Sequence, residues 1–147
     1  MFICDTMLGK LAKYLRIIGL DTVYIKSTKE LDKFKNQCEA PILFTRRKTQ
    51  KLLYSNSFYI ESDNISGQTR QIRDIIKPYV DKKAIMKRCI KCNALLRDVN
   101  KHDIETFVPE FIFHKYDNFK ICPLCMKVFW KGSHAENMEQ WIRAAFL

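Results

Sequence analysis

The sequence predicts an α/β domain with a mostly parallel sheet, followed by a small zinc ribbon. Three observations carry this. Between Phe2 and Tyr79 short apolar runs alternate with amphipathic stretches, the order that a parallel sheet with crossover connections requires. After the charged stretch Asp81-Lys82-Lys83 that alternation stops. Two Cys-x-x-Cys pairs then appear, Cys89/Cys92 and Cys122/Cys125. The boundary falls near residues 83–87, which gives an α/β part over 1–85 and a ribbon with a C-terminal helix over 86–147.

Phe2-Ile3-Cys4 predicts a first strand, ending at Asp5. From Met7 to Ile18, Leu8, Leu11, Leu15 and Ile18 recur at steps of three and four, with Lys10, Lys13 and Arg16 on the other face. That spacing predicts an amphipathic helix, capped by Asp5 or Thr6 and stopped by Gly19. Val23-Tyr24-Ile25 predicts a second strand. Ser27-Thr28-Lys29-Glu30 has the pattern of a capping box and predicts a helix running to about Glu39. Ile42-Leu43-Phe44 and Phe58-Tyr59-Ile60 predict two further strands, separated by the basic run Arg46-Arg47-Lys48-Thr49-Gln50-Lys51. Gly67 precedes a helix with Ile72, Ile75, Ile76 and Tyr79 on one stripe, its last turn weakened by Pro78.

The two cysteine pairs are 29 residues apart. Each pair can form a tight knuckle, so the four thiolates suit one tetrahedral zinc ion. A module this small has little core, and the metal replaces core as the folding constraint. Four thiolates close the coordination shell, so the predicted zinc is structural and not catalytic. Ala94-Leu95-Leu96 and Phe111-Ile112-Phe113 predict a hairpin insertion between the knuckles. Phe129 and Trp130 read as ribbon core or as anchors for a protein partner. His134 precedes a helix bearing Met138, Trp141 and Ile142, and reads as a packing residue or an RNA contact. His102 and His114 predict solvent-exposed rings, and Cys4 and Cys38 buried structural thiols.

Hydrophobic residues make up 47% of the 147, enough to bury a real core. Lys and Arg number 26 against 16 Asp and Glu, a net charge of +10. Residues 1–86 hold 16 basic and 9 acidic side chains, so most of that positive field belongs to the N-terminal part. A surplus of this size points to a polyanion such as nucleic acid, against the plainer reading of lysines that keep the protein dispersed. The start of the sequence lacks a basic segment followed by a long apolar run. No stretch approaches the roughly 18 apolar residues that would span a bilayer. The expectation is a cytoplasmic protein, without a membrane partner, whose paired cysteines ligate metal.

In a parallel sheet the functional crevice lies beyond the carboxyl ends of the strands. Asp5 and Thr45-Arg46-Arg47 both fall there. The run Asp5 to Thr22, with Ile42-Leu43-Phe44-Thr45-Arg46 and with Cys122-Pro123-Leu124-Cys125, Phe129-Trp130 and Gly132-Ser133-His134, resembles the Mut-seven C-terminal ribonuclease domain family across essentially the whole chain. The resemblance implies a PIN-like nuclease domain joined to a zinc ribbon, with RNA as substrate. It also implies a cluster of carboxylates holding magnesium or manganese for phosphodiester cleavage. Asp5 matches the family's first acidic position, Glu30 or Asp32 falls where the next acids belong, and Asp63 follows the fourth strand. At the third position the family reads Thr-Arg-Asp, and this chain reads Thr45-Arg46-Arg47. A guanidinium there repels a dication and cannot deprotonate. Two expectations follow: a metal-dependent ribonuclease with a degraded acidic site, or an inactive RNA binder. In the second, Lys10, Arg46, Arg47, Lys48, Lys51 and His134 contact RNA.

Overall fold

The computed structural model describes residues 1–34 and 41–146. Strands β1 (Phe2–Cys4), β2 (Thr22–Tyr24), β3 (Ile42–Thr45) and β4 (Ser57–Tyr59) form one sheet in the order β2-β1-β3-β4. Every pairing is parallel, as the alternating pattern predicts. Helices α1 (Gly9–Ile18) and α3 (Ile65–Ile76) pack on it, and α2 (Lys48–Leu53) links β3 to β4. Leu11, Leu15, Ile18, Ile72 and Ile76 are fully buried in the main core. Ile3, Ile25, Leu31, Leu43 and Tyr54 form a second cluster. Pale apolar strands therefore sit between two covered faces, which is what makes parallel pairing tolerable.

Local details differ from expectation for identifiable reasons. Helix α1 starts at Gly9, because the Asp5 carboxylate accepts the Met7 N–H (3.1 Å) and holds residues 5–8 in a turn ahead of it. At its other end Gly19 adopts φ 100°, and the N–H groups of Gly19 and Leu20 return to Arg16 and Leu15. This is a Schellman cap. Glu30 reaches back to the Lys26 and Ser27 N–H groups, both at 3.0 Å, but the segment they open, Thr28–Phe34, is a 3₁₀ helix. The rest of the predicted helix, with Cys38 and Glu39, lies outside the described residues. Helix α3 begins two residues before Gly67, since Asn64 caps it by accepting the Gly67 N–H at 2.9 Å.

The ribbon carries strands β5 (Arg97–Val99), β6 (Phe119–Ile121) and β7 (Val128–Trp130), all antiparallel. Phe111-Ile112-Phe113 is not a strand. It lies in α4 (Glu110–Lys115), which Pro109 opens at a position where its missing N–H costs nothing. The inserted hairpin is thus a β5–β6 pair whose connection is helical. Ala94-Leu95-Leu96 contributes only one isolated bridge, Leu95 with Arg88. Helix α5 (Ser133–Phe146) then leaves the ribbon, and its Ile142 and Phe146 are buried in the core of the α/β part. Its Trp141 meets Tyr14 of α1 edge-on, with ring centroids 5.4 Å apart. No described helix is long and apolar enough to cross a membrane.

Candidate functional site

The carboxyl ends of the four strands bring together Asp5, Arg46, Arg47 and the loop holding Asp63. Asp5 is 1% exposed. One of its oxygens takes the Met7 N–H, and the other takes a short hydrogen bond from the Thr45 hydroxyl. Thr45 in turn accepts the Arg47 N–H at 2.9 Å. The result is a chain of bonds from Arg47 through Thr45 to Asp5, tying the ends of β1 and β3. Above it the Arg47 guanidinium, on an exposed residue, donates to the Thr6 hydroxyl at 3.0 Å. Arg46 donates to the Glu61 carbonyl at 3.3 Å.

The remaining sequence candidates disperse. Glu30 is occupied with backbone N–H groups. Asp32 is exposed and lines a shallow pocket with Gln50 and Tyr54, against α2. Asp63 is exposed and accepts a long bond (3.4 Å) from Asn64. Lys10 and Lys48 are exposed at the first turns of α1 and α2, toward the crevice. Lys51 donates to the Ser57 carbonyl at 2.6 Å, at the start of β4 and so at the opposite edge of the sheet. His134 is exposed beside the start of α3, and His102 and His114 are exposed too.

Among the described residues, the four cysteines are the one group of three or more His, Cys, Asp or Glu side chains that converges as metal ligands would. No such cluster of carboxylates forms among them, so the described acids offer no ready-made cage for magnesium or manganese. The cysteines do fit a metal such as zinc. Their ligand atoms all lie within 4.8 Å of one another, and the Cys89 and Cys125 Sγ atoms are 3.7 Å apart. Zinc–sulfur bonds of about 2.3 Å in a tetrahedron put sulfurs about 3.8 Å apart. The two knuckles have matching backbones. Cys89 and Cys122 donate to the Ala94 and Lys127 carbonyls and accept from the Asn93 and Met126 N–H groups. Asn93 and Met126 each take a left-handed conformation, φ 66° and 58°. The Lys127 N–H, foremost, holds the Cys125 thiol down to about 7. A hydrogen bond to Cys125, foremost, pushes Cys92 up to about 12. Cys4, buried in the sheet, is pushed up by desolvation.

The first knuckle does not stand apart from the α/β part, and sequence reasoning missed how it is joined. Arg16, treated as part of the polar face of α1, is buried. It donates to Thr22 (2.9 Å) and to the carbonyls of Ile90 (2.9 Å) and Lys91 (3.0 Å), the two residues between Cys89 and Cys92. The Asn93 amide donates to Asp21 (2.7 Å) and accepts the Thr22 N–H (3.1 Å). Arg88 adds a bond to the Gly19 carbonyl at 3.1 Å. An arginine directly before two apolar residues and a helix-ending glycine was the available signal, since its neighbours Leu15 and Ile18 bracket it on the core side.

Fold and cysteine cluster define the class, an α/β domain with a parallel sheet flanked by helices, joined to a four-cysteine ribbon that could hold zinc. Residues 1–142 match the family model described as Mut7-C RNAse domain, and the chain belongs to that family. This supports a nuclease-like function in general. No curated protein and no solved structure matches it.

Proposed function

We propose that this chain is an RNA-directed protein of the ribonuclease type in which the crevice holds RNA phosphate and metal-dependent cleavage is weakened. The observation that carries this reading is the Arg47 guanidinium on Thr6, beside an Asp5 whose two oxygens are already bonded. A fixed positive charge there opposes a dication by Coulomb repulsion. The same planar fork has donors left for phosphate oxygens. Lys10, Lys48 and Arg46 add positive charge around it, and the N-terminus of α1, which has no acidic residue in its first turn, favours anions as well. Structural zinc in the four-thiolate site completes the assignment.

The test is binding and cleavage of labelled single-stranded RNA by the wild type and by Arg47→Asp. Wild-type affinity falls about tenfold or more between about 50 and about 200 mM salt if three phosphates are engaged. Arg47→Asp weakens metal-free binding, and with manganese present it gains divalent-cation binding. A flat salt response, or an Arg47→Asp protein that binds RNA as the wild type does, defeats the phosphate-gripping role. Family membership favours a second reading, cleavage by the unaltered chain. It is supported if the wild type cuts RNA with magnesium or manganese and Asp5→Asn does not.

A further inference from the structure

A cavity of about 200 Å³ opens where α1, α3 and α5 meet, lined by Tyr14, Ser66, His134, Asn137, Met138 and Trp141 among others. Its walls combine two rings with four polar groups. Trp141 is held by edge contacts with Tyr14 (5.4 Å) and Phe146 (5.7 Å) while remaining partly exposed. The Tyr14 hydroxyl, Ser66 hydroxyl, His134 ring and Asn137 amide make no hydrogen bond among the described residues, so donors and acceptors stand free around an aromatic surface. The volume is below the range of about 300–1,000 Å³ that houses drug-sized molecules. It suits one flat heteroaromatic ring better than a whole nucleotide.

Position supplies the second argument. Ser66 is in the first turn of α3, just past the carboxyl end of β4, on the same edge of the sheet as Asp5 and Arg47. Lys10 precedes Tyr14 by four residues on α1, and residues at that spacing are neighbours about 5–6 Å apart on one helix face. Arg70 follows Ser66 by the same interval on α3. Lys10 and Arg70 are both exposed, and neither makes an ion pair among the described residues. Positive charge therefore runs from the crevice along the rim of the cavity.

We infer that this cavity is a subsite for one unpaired base of the RNA whose phosphates lie in the crevice. The inference rests on the proposed RNA-binding function and adds to it how a strand is oriented. Proteins that take single-stranded RNA splay out bases against aromatic side chains and bond their edges, as these residues are placed to do. The base stacks on Trp141 or Tyr14, and Asn137, His134 and Ser66 bond its edge. A peptide segment is the competing occupant, but the net charge of +10 and the polar, ring-sized shape favour nucleic acid.

The experiment compares a short single-stranded oligoadenylate with an abasic ribose-phosphate oligomer of the same length, each titrated against the full chain. Wild type binds the base-bearing oligomer about tenfold or more tightly than the abasic one, within what one stacked base contributes. Ser66→Phe, which fills the cavity, removes that preference and Asn137→Ala weakens it, both leaving abasic binding and zinc content unchanged. Arg47→Ala lowers binding of both oligomers and leaves the preference in place. If wild type binds both oligomers equally while Arg47→Ala still weakens them, the subsite is wrong and the RNA-binding reading stands. A peptide-binding cavity gives that same equality. If wild type binds neither oligomer, the RNA reading fails and the subsite with it. Loss of both affinities in the cavity variants refutes base recognition.

Discussion

Replacing Arg16 by Met tests whether the zinc knuckle and the α/β part are one unit of stability. Met keeps most of the apolar stem and deletes the guanidinium. Three bonds disappear, to the carbonyls of Thr22, Ile90 and Lys91. Bonds to a charged group contribute about 1.5–3 kcal/mol each, so the gross loss is several kcal/mol. Two terms offset it. Ile90 is only half-buried and Lys91 is exposed, so their carbonyls recover water, whereas Thr22 is buried. The guanidinium also no longer suffers desolvation, the foremost effect lowering the Arg16 pKa. A net loss of about 2–4 kcal/mol remains, close to one unsatisfied buried carbonyl plus part of the docking contacts. Because the bonds reach into the Cys89–Cys92 loop, the loss divides between folding and metal affinity by linkage. If about 2 kcal/mol falls on the metal, zinc binds about thirtyfold more weakly. Urea unfolding followed by circular dichroism reads the first share, and competition with a chromophoric chelator reads the second. A variant that unfolds at the wild-type urea midpoint and holds zinc as tightly refutes the coupling.

Four further outcomes are expected. Elemental analysis of the purified chain gives one zinc per molecule, and chelation lowers the unfolding midpoint of the α/β part as well as that of the ribbon. Met126→Gly raises stability by about 0.5–1 kcal/mol in the same urea assay, because its left-handed backbone costs about 1–2 kcal/mol for a side chain and glycine returns some of that as chain entropy. Asn93→Gly at the equivalent place in the other knuckle lowers stability by about 1–2 kcal/mol, because there the side chain makes two bonds to Asp21 and Thr22 that outweigh the backbone gain. Gly19→Ala costs at least about 2 kcal/mol, since its φ is 100° and an added Cβ would meet the Ala84 carbonyl oxygen at 2.4 Å. A wild-type melting temperature for that variant would show that residues 84–86 move away freely.

The sheet and the four-cysteine cluster were legible because both rest on local spacing. Three-residue apolar runs and two Cys-x-x-Cys pairs leave few alternatives, and the helix stripes of Leu11, Leu15, Ile72 and Ile76 repeat clearly. What stayed hidden depends on contacts distant in sequence. Phe111-Ile112-Phe113 has strand composition, yet only Ile112 of the three is buried, and Pro109 with the ribbon core around it selects a helix. Lys51 belonged to a basic run that looked continuous, but α2 carries it to the far edge of the sheet, where Ser57 holds it. Asp5 and Arg47 were placed at one edge correctly by topology. That the Thr45 hydroxyl joins the Asp5 carboxylate to the Arg47 N–H, and that the Arg47 guanidinium turns to Thr6, is a matter of rotamers, which no periodicity encodes.

The position of the metal centre argues its role more directly than its ligand count does. Arg16, Gly19, Asp21 and Thr22 sit where α1 gives way to β2, and Thr22 pairs with Phe2 at the start of β1. The docked knuckle therefore lies at the amino edge of the sheet, while Asp5, Thr45 and Arg47 lie at the carboxyl edge. A metal ion held at the opposite edge would neither polarise a phosphate nor supply a nucleophile in the crevice. Its influence passes through the chain instead. The knuckle fixes the ribbon against α1, and the ribbon launches α5, whose Ile142 and Phe146 enter the main core. That course brings His134 and Asn137 back to the first turn of α3, on the crevice edge. Losing the metal should thus disturb the cavity proposed to take a base, without any of the four cysteines touching it. Chelation at a salt concentration where the fold persists is expected to weaken binding of a base-bearing oligomer more than that of an abasic one. Equal weakening of the two would mean that zinc stabilises the protein as a whole and leaves α5 in place.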